Sequence, residues 1–215
     1  MTKLIVTIDG PSGSGKSTVS RAVASITELP HLDTGAFYRA ATLAAIRAGV
    51  DPSDGESVAR IVRSLVLDQQ AGVMTCNGED VSDEIRGEVV TGAVSEVSAH
   101  PQVRWILVDH QRDWVDRHEG RAVVEGRDIG SVVFPEANLK IYLDASADVR
   151  AARRATQDGV DPNDVLTDLR VRDHKDSTRQ ASPLTVPDGA MLINTSDLSF
   201  DEVVAEVVSA VSGKF

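Results

Sequence analysis

Short apolar runs rich in β-branched residues recur along the chain, separated by stretches whose apolar positions fall at helical spacing. Leu4-Ile5-Val6-Thr7-Ile8 is the first run, and Ala122-Val123-Val124, Leu139 to Leu143 and Met191-Leu192-Ile193 follow. Each is continuous rather than alternating, as a strand reads when both of its faces are covered. Val19, Ala22, Val23 and Ile26 mark a helix from Ser17 onward, and Ala36 to Ala48 marks another. Near the end, Val203, Val204, Val207, Val208 and Val211 share a helical pattern over Phe200 to Val211. Ser199 and Glu202 have the spacing of a capping box at its start. Strands alternating with helices predict an α/β fold, a parallel β-sheet flanked by helices, with ligands beyond the C-terminal ends of the strands.

Two stretches depart from that alternation. Residues 34 to about 95 pass the turn signals Asp51-Pro52 and Asp54-Gly55 and the hairpin signal Asn77-Gly78, without offering a strand for the parallel sheet. Between Ala151 and Arg172 an arginine-bearing helix breaks at Asp158-Gly159 and restarts near Asn163, read as its N-cap. A helix, a loop and a second helix have the form of a lid.

Composition narrows the chemistry. The 215 residues are 41% hydrophobic, enough for one well-packed domain with inserts. No run approaches the ~20 apolar residues of a membrane span, and Met1-Thr2-Lys3 leads straight into the first strand, so a cytoplasmic location is expected. The single Cys76 excludes an internal disulfide, and the five histidines show no metal-ligand spacing. Any metal should therefore arrive with a nucleotide. A net charge of −11 argues against a nucleic-acid partner or an anionic membrane surface. Yet arginines outnumber lysines 17 to 5, and six arginines fall between Arg150 and Arg179. Arginine grips phosphate with a planar fork, so the cluster suits a small phosphorylated ligand, although a solvated helical face gives the same pattern.

Gly10-Pro11-Ser12-Gly13-Ser14-Gly15-Lys16-Ser17 is a complete phosphate-binding loop, G-x-x-x-x-G-K-[ST], placed between a strand and a helix as that motif requires. Glycines at 10, 13 and 15 permit backbone angles closed to other residues, so successive N–H groups can cradle phosphate oxygens. Lys16 supplies charge to the β and γ phosphates, and the Ser17 hydroxyl is the candidate ligand for Mg²⁺; Thr18 completes the segment. The loop alone implies a bound nucleoside triphosphate and nothing narrower.

Three other segments suggest what accepts the phosphate. Asp33-Thr34-Gly35-Ala36-Phe37-Tyr38-Arg39 opens a helix and gathers a hydroxyl and an arginine near its N-terminus. Glu125-Gly126-Arg127-Asp128 follows directly on a strand, so Arg127 and Asp128 emerge at its C-terminal edge. Arg172, Asp176 and Arg179 are spaced by four and three, as on one helix face, which an ordinary charged helix would also show.

These segments, in order, resemble bacterial cytidylate kinases, members of the nucleoside monophosphate kinase group of P-loop kinases. The resemblance runs through Ile8 to Thr18, Asp33 to Arg39, Gly78-Glu-Asp-Val-Ser-Asp-Glu-Ile-Arg86, Gly126 to Pro135, Lys140 to Ser146 and Arg172 to Leu184. It implies a P-loop core at 1–33, 96–150 and 173–215, an acceptor-nucleotide-binding insert at 34–95 and a helical lid at 151–172. It implies ATP as donor with Mg²⁺, and CMP and dCMP as acceptors, in a protein expected to act as a monomer. By the same resemblance Thr34, Tyr38 and Arg39 help hold the acceptor nucleotide, and Ser95, Arg104 and Asp128 read the cytosine ring. Arg127 and Arg172 bind the acceptor phosphate, and Asp176 and Arg179 the ribose hydroxyls. Arg150, Arg153, Arg154 and Arg170 resemble lid arginines, and Lys16, Arg127, Arg153 and Arg172 are the expected catalytic groups.

The chemistry agrees. Cytosine presents an amino donor beside two acceptors, which a carboxylate and an arginine complement. A phosphate acceptor is already mostly ionised near neutral pH, so no general base is required. Other readings stand beside this one: a P-loop kinase for UMP, AMP or a hydroxy acid such as shikimate, and a GTPase-like switch or noncatalytic nucleotide-binding module. The GTPase reading lacks an Asn-Lys-x-Asp motif, and the binding module leaves the second arginine-rich site unexplained.

Overall fold

A computed structural model describes residues 3–179 and 181–214. Strands β1 (Leu4–Asp9), β2 (His31–Asp33), β6 (Arg121–Gly126), β7 (Leu139–Asp144) and β8 (Met191–Asn194) form a parallel sheet in the order β2-β6-β1-β7-β8. Four of these are the apolar runs of the sequence, each slightly extended. The three-residue β2 is too short to show a pattern of its own, and only its pairing with Val123 to Glu125 makes it a strand.

Successive side chains of the central strands go to opposite cores, as strand geometry demands. Val6, Ile8, Val123, Ile141 and Leu143 pack with Val19 and Val23 of α1 (Lys16–Thr27) and Val203, Val207 and Val211 of α8 (Phe200–Ser212). Ala122 and Val124 face the other way, toward α2 (Thr34–Arg47), α3 (Gly55–Val62), α4 (Glu88–Val97) and α5 (Pro101–Arg117), around Phe37, Leu107 and Trp114. The expected capping box at Ser199 and Glu202 is present.

Residues 34–95 contribute no strand to the parallel sheet. They carry a separate antiparallel sheet, β3 (Leu67–Gln70), β4 (Val73–Cys76) and β5 (Glu79–Asp80). The hairpin expected at Asn77-Gly78 joins β4 to β5, with φ of 53° and 82°. A second, at Ala71-Gly72, has φ of 48° and 85° and was not legible, because alanine is not a residue that signals positive φ. Trp114 Nε1 donates to the Gln69 carbonyl at 3.0 Å, fixing this small sheet to α5.

Helices α6 (Ala147–Asp158) and α7 (Pro162–Thr178) pack on each other through Ala151, Ala155, Val165 and Leu169, a cluster apart from both large cores. The restart at Asn163 is corrected in detail. The N-cap is Asp161, whose carboxylate accepts from the Asn163 N–H at 2.7 Å, and Pro162 takes the first helical position where its missing N–H costs nothing.

Candidate active site

The C-terminal ends of β1, β2 and β6 lie side by side, since Asp9 pairs with Gly126 and Asp33 with Glu125. A cleft of about 460 Å³ opens over them. It is lined by the phosphate loop, by the start of α2, by Ile85, Arg86, Val94, Ser95, Ser98 and Arg104, by the turn after β6, and by arginines of α6 and α7.

The loop has the geometry its glycines require. Gly10, Gly13 and Gly15 sit at φ of 153°, 79° and 86°. A Cβ on Gly10 would fall 2.2 Å from the Leu143 carbonyl oxygen, so no other residue fits there. Three successive loop carbonyls are engaged by cationic side chains. Arg127 Nη1 donates to Gly10 O at 2.9 Å, Lys16 Nζ to Pro11 O at 3.0 Å and Arg150 Nη1 to Ser12 O at 2.8 Å. Those oxygens are thereby neutralised beside a site meant for anions.

This assigns Arg150 a task other than the expected one. It is buried, it also donates to the Ala145 carbonyl, and it pairs with Asp173 at 2.7 Å, away from the cleft lining. A guanidinium so committed ties α6 and α7 to the loop and faces away from the cleft. Arg170 is exposed and outside the lining as well. Arg153 and Arg154 do line the cleft, and Arg153 is anchored by Thr195 through its hydroxyl at 3.0 Å and its carbonyl.

The far half of the cleft is a chain of alternating charges. Arg104 Nη2 donates to Asp128 Oδ2 at 2.5 Å, both groups being buried, and Arg179 Nη2 lies 3.7 Å from Asp128 Oδ1. Arg179 also bonds Asp176 at 3.4 Å, and Asp176 faces Arg127 Nε at 3.3 Å. Residues far apart in sequence thus form one network that ends, through Arg127, on the phosphate loop. Arg104 also lies over the Tyr38 ring, 5.1 Å from its centre, a cation–π contact. Burial, ahead of the neighbouring charges, pushes the Tyr38 hydroxyl up to about 12. Arg39 reaches Ile85 O and Thr91 Oγ1, and Thr34 Oγ1 donates to the Glu125 carbonyl at 2.7 Å. Ser95 of α4 lines the same end.

Between the halves sits a positive centre. Desolvation first, and then the Arg127 charge, pushes the Lys16 ammonium down from 10.5 to about 7. Burial and the same Arg127 push Arg172 down to about 10. Cations crowded this way are disfavoured until an anion joins them.

Four residues outside the expected set matter here. Ser17 Oγ donates to Glu125 Oε2 at 2.7 Å, so the hydroxyl expected to meet a metal already faces a carboxylate. Burial alone would raise Glu125, but His31, Lys16 and Ser17 together hold it below the usual carboxylate range. Asp33, which caps α2, is pushed up by burial and by Glu125. Asp9 accepts from the Ile129 and Gly130 N–H groups at 2.7 and 2.8 Å, which fixes the turn that carries Arg127 and Asp128. Arg86, at the end of the Gly78 to Arg86 segment, joins the lining. A carboxylate at the end of an apolar run was the available signal for Asp9 and Glu125. Arg86 had none, since its position is set by the insert's packing.

The comparisons with known proteins agree with one another. The family model described as cytidylate kinase matches residues 6–213. A cytidylate kinase of Rhodococcus jostii (strain RHA1) is 49% identical, over 98% of this chain and 95% of the relative. Those of Nocardia farcinica (strain IFM 10152) and Mycobacterium leprae (strain Br4923) are 50% and 48% identical, each over 98% of this chain and 94% and 96% of theirs. Among solved structures, a gluconokinase from Sinorhizobium meliloti 1021 shares the fold with a TM-score of 0.53 at 16% identity, covering 98% of this chain and 92% of its own. TT1252 from Thermus thermophilus does so at 0.51 and 19%, covering 100% and 99%.

Proposed function

The chain belongs to the cytidylate kinase family, and on that premise we propose how its cleft moves the γ-phosphoryl group of ATP onto CMP or dCMP, giving ADP and CDP or dCDP. One observation carries the reading. Arg127 bonds the Gly10 carbonyl of the phosphate loop and pairs with Asp176 of the charged network, so one guanidinium spans the donor and acceptor halves.

The loop from Gly10 to Thr18 binds the ATP phosphates, with Lys16 following the transferred charge. Asp128 accepts from the cytosine amino group while Arg104 and Ser95 serve the ring's acceptor edge. Tyr38, Thr34 and Arg39 shape the pocket of the acceptor, and Asp176 and Arg179 take the ribose hydroxyls. Arg127 and Arg172 hold the acceptor phosphate, and Arg153 and Arg154 reach the phosphoryl group from the helical pair α6 and α7, which acts as a lid over residues 151–172. The insert at 34–95 and the core at 1–33, 96–150 and 173–215 are the remaining units of this reading.

The donor set also fits Mg²⁺. Among the described residues no cluster of three or more His, Cys, Asp or Glu could hold a metal alone. Ser17 Oγ and Glu125 nevertheless place hard oxygen donors together, and buried Glu125 Oε1 makes no hydrogen bond, only a 3.4 Å approach to His31 Nε2. Ser17 and Glu125 would hold Mg²⁺ there, which would supply charge neutralisation to the phosphoryl transfer. The chain's own work is positioning. Lys16 and the arginines are preorganised around developing charge, no side chain needs to remove a proton, and the lid excludes the water that would otherwise hydrolyse ATP.

Coupled ADP release measured across CMP, dCMP, UMP, AMP and shikimate tests this reading. Highest kcat/KM is expected with the two cytidylates, and a higher value with any of the others would overturn it.

A further inference from the structure

His31 lies on β2 beside the cleft-lining Glu125, where neither the loop motif nor the charged network includes it. Its Nε2 is 2.9 Å from Ser20 Oγ and 3.4 Å from Glu125 Oε1. The Ser20 hydroxyl also lies 3.3 Å from the Ser17 carbonyl. A carboxylate only accepts, so Nε2, facing Glu125 Oε1, acts as the donor, and the Ser20 hydroxyl oxygen can accept from it.

Glu125 is in this way approached from both oxygens, Oε1 by His31 and Oε2 by the Ser17 hydroxyl at 2.7 Å. Because Ser17 spends its hydrogen on Glu125, its lone pairs are left for a cation. Carboxylates without such restraint rotate about their last torsion, which is broad and roughly twofold. Groups that orient a metal's ligands are worth about 10- to 100-fold in metal affinity.

We propose that His31 is a positioning residue for the cation that accompanies ATP: by fixing Glu125 it sets the orientation of the Ser17 hydroxyl, and so the affinity for Mg²⁺ rather than for the nucleotide. This rests on Ser17 and Glu125 being the chain's donors to that cation. No proton transfer at His31 is involved, so the effect is geometric.

The test is calorimetric titration of MgCl₂ into the full chain holding a non-hydrolysable ATP analogue, beside titration of the analogue into metal-free protein. His31→Leu should weaken Mg²⁺ binding about 10- to 100-fold and leave metal-free analogue binding unchanged, whereas His31→Gln, which keeps an N–H donor, should recover most of the loss. His31→Phe provides a second apolar replacement should the leucine variant not fold. Unchanged Mg²⁺ affinity in the apolar variant overturns the proposal, and so does an equal loss of analogue binding with and without metal. Glu125→Gln separates the two levels. If it leaves Mg²⁺ affinity unchanged, the assignment of the metal donors falls as well; if it weakens Mg²⁺ while the apolar His31 variant does not, only the role of His31 is lost.

Discussion

Replacing Asp128 by asparagine reverses the hydrogen-bonding sense of one edge of the proposed base pocket while nearly preserving its shape. Asp128 Oδ2 accepts from Arg104 at 2.5 Å, and its other oxygen lies 3.7 Å from Arg179, in surroundings where both partners are buried. Truncation to alanine would strand the Arg104 charge, and breaking a buried pair costs about 3–5 kcal/mol. For a chain of this size each kcal/mol lowers Tm by about 2–4 °C, so an alanine variant confounds recognition with stability. Asparagine retains an oxygen for Arg104, which also keeps its bond to the Ser98 carbonyl at 3.1 Å. The remaining oxygen becomes an NH₂ group, which opposes the cytosine amino group and suits a uracil carbonyl. One unsatisfied buried polar group costs about 1–3 kcal/mol, or about 5- to 150-fold. Asp128→Asn should therefore lower kcat/KM for CMP within that range and raise that for UMP, as read by coupled ADP release. An unchanged CMP-to-UMP ratio in a variant whose thermal unfolding remains cooperative would refute the role of Asp128 in reading the base.

Further outcomes follow from the same geometry. Lys16→Met removes a cation whose ammonium is already disfavoured, so turnover should fall by orders of magnitude while Tm stays level or rises; near-normal turnover would count against the phosphate role. Because Lys16 is pushed down to about 7, nucleotide phosphates should raise it, and binding should take up a proton between pH 7 and 10. Calorimetry in two buffers of different ionisation enthalpy measures that uptake, and its absence would contradict the shift. The sign for stability follows as well. Between about 7 and the ordinary 10.5 the unfolded chain binds more protons at Lys16 than the folded one, so this group's contribution to stability rises with pH across that window. Finally, Gly10→Ala places a Cβ 2.2 Å from the Leu143 carbonyl and should cost both stability and ATP affinity, whereas Gly72→Ala, which meets nothing within 4 Å, should leave ATP affinity intact.

What the amino-acid sequence determined by itself is local. The continuous runs at Leu4, Ala122, Leu139 and Met191 are strands, the loop from Gly10 to Ser17 turns between strand and helix, and Ser199 with Glu202 caps the last helix. In each, the deciding interactions span a few residues: burial on both faces, positive φ at glycine, a side chain reaching back to an N–H. Tertiary structure alone decided which charges belong to the cleft. Arg150 and Arg153 are three residues apart on one helix, yet the first is buried against Ser12 and Asp173 while the second lines the opening. Helical spacing cannot separate a solvated face, an anchor and a ligand-facing group, because all three have the same period. The parallel register that sets Asp33 beside Glu125, and the packing that brings Arg104, Asp128, Asp176 and Arg179 together, arise between segments remote in sequence. Motif order made the proposed acceptor residues recognisable, but only packing turned them into one network, since the worth of a charge depends on what burial leaves around it.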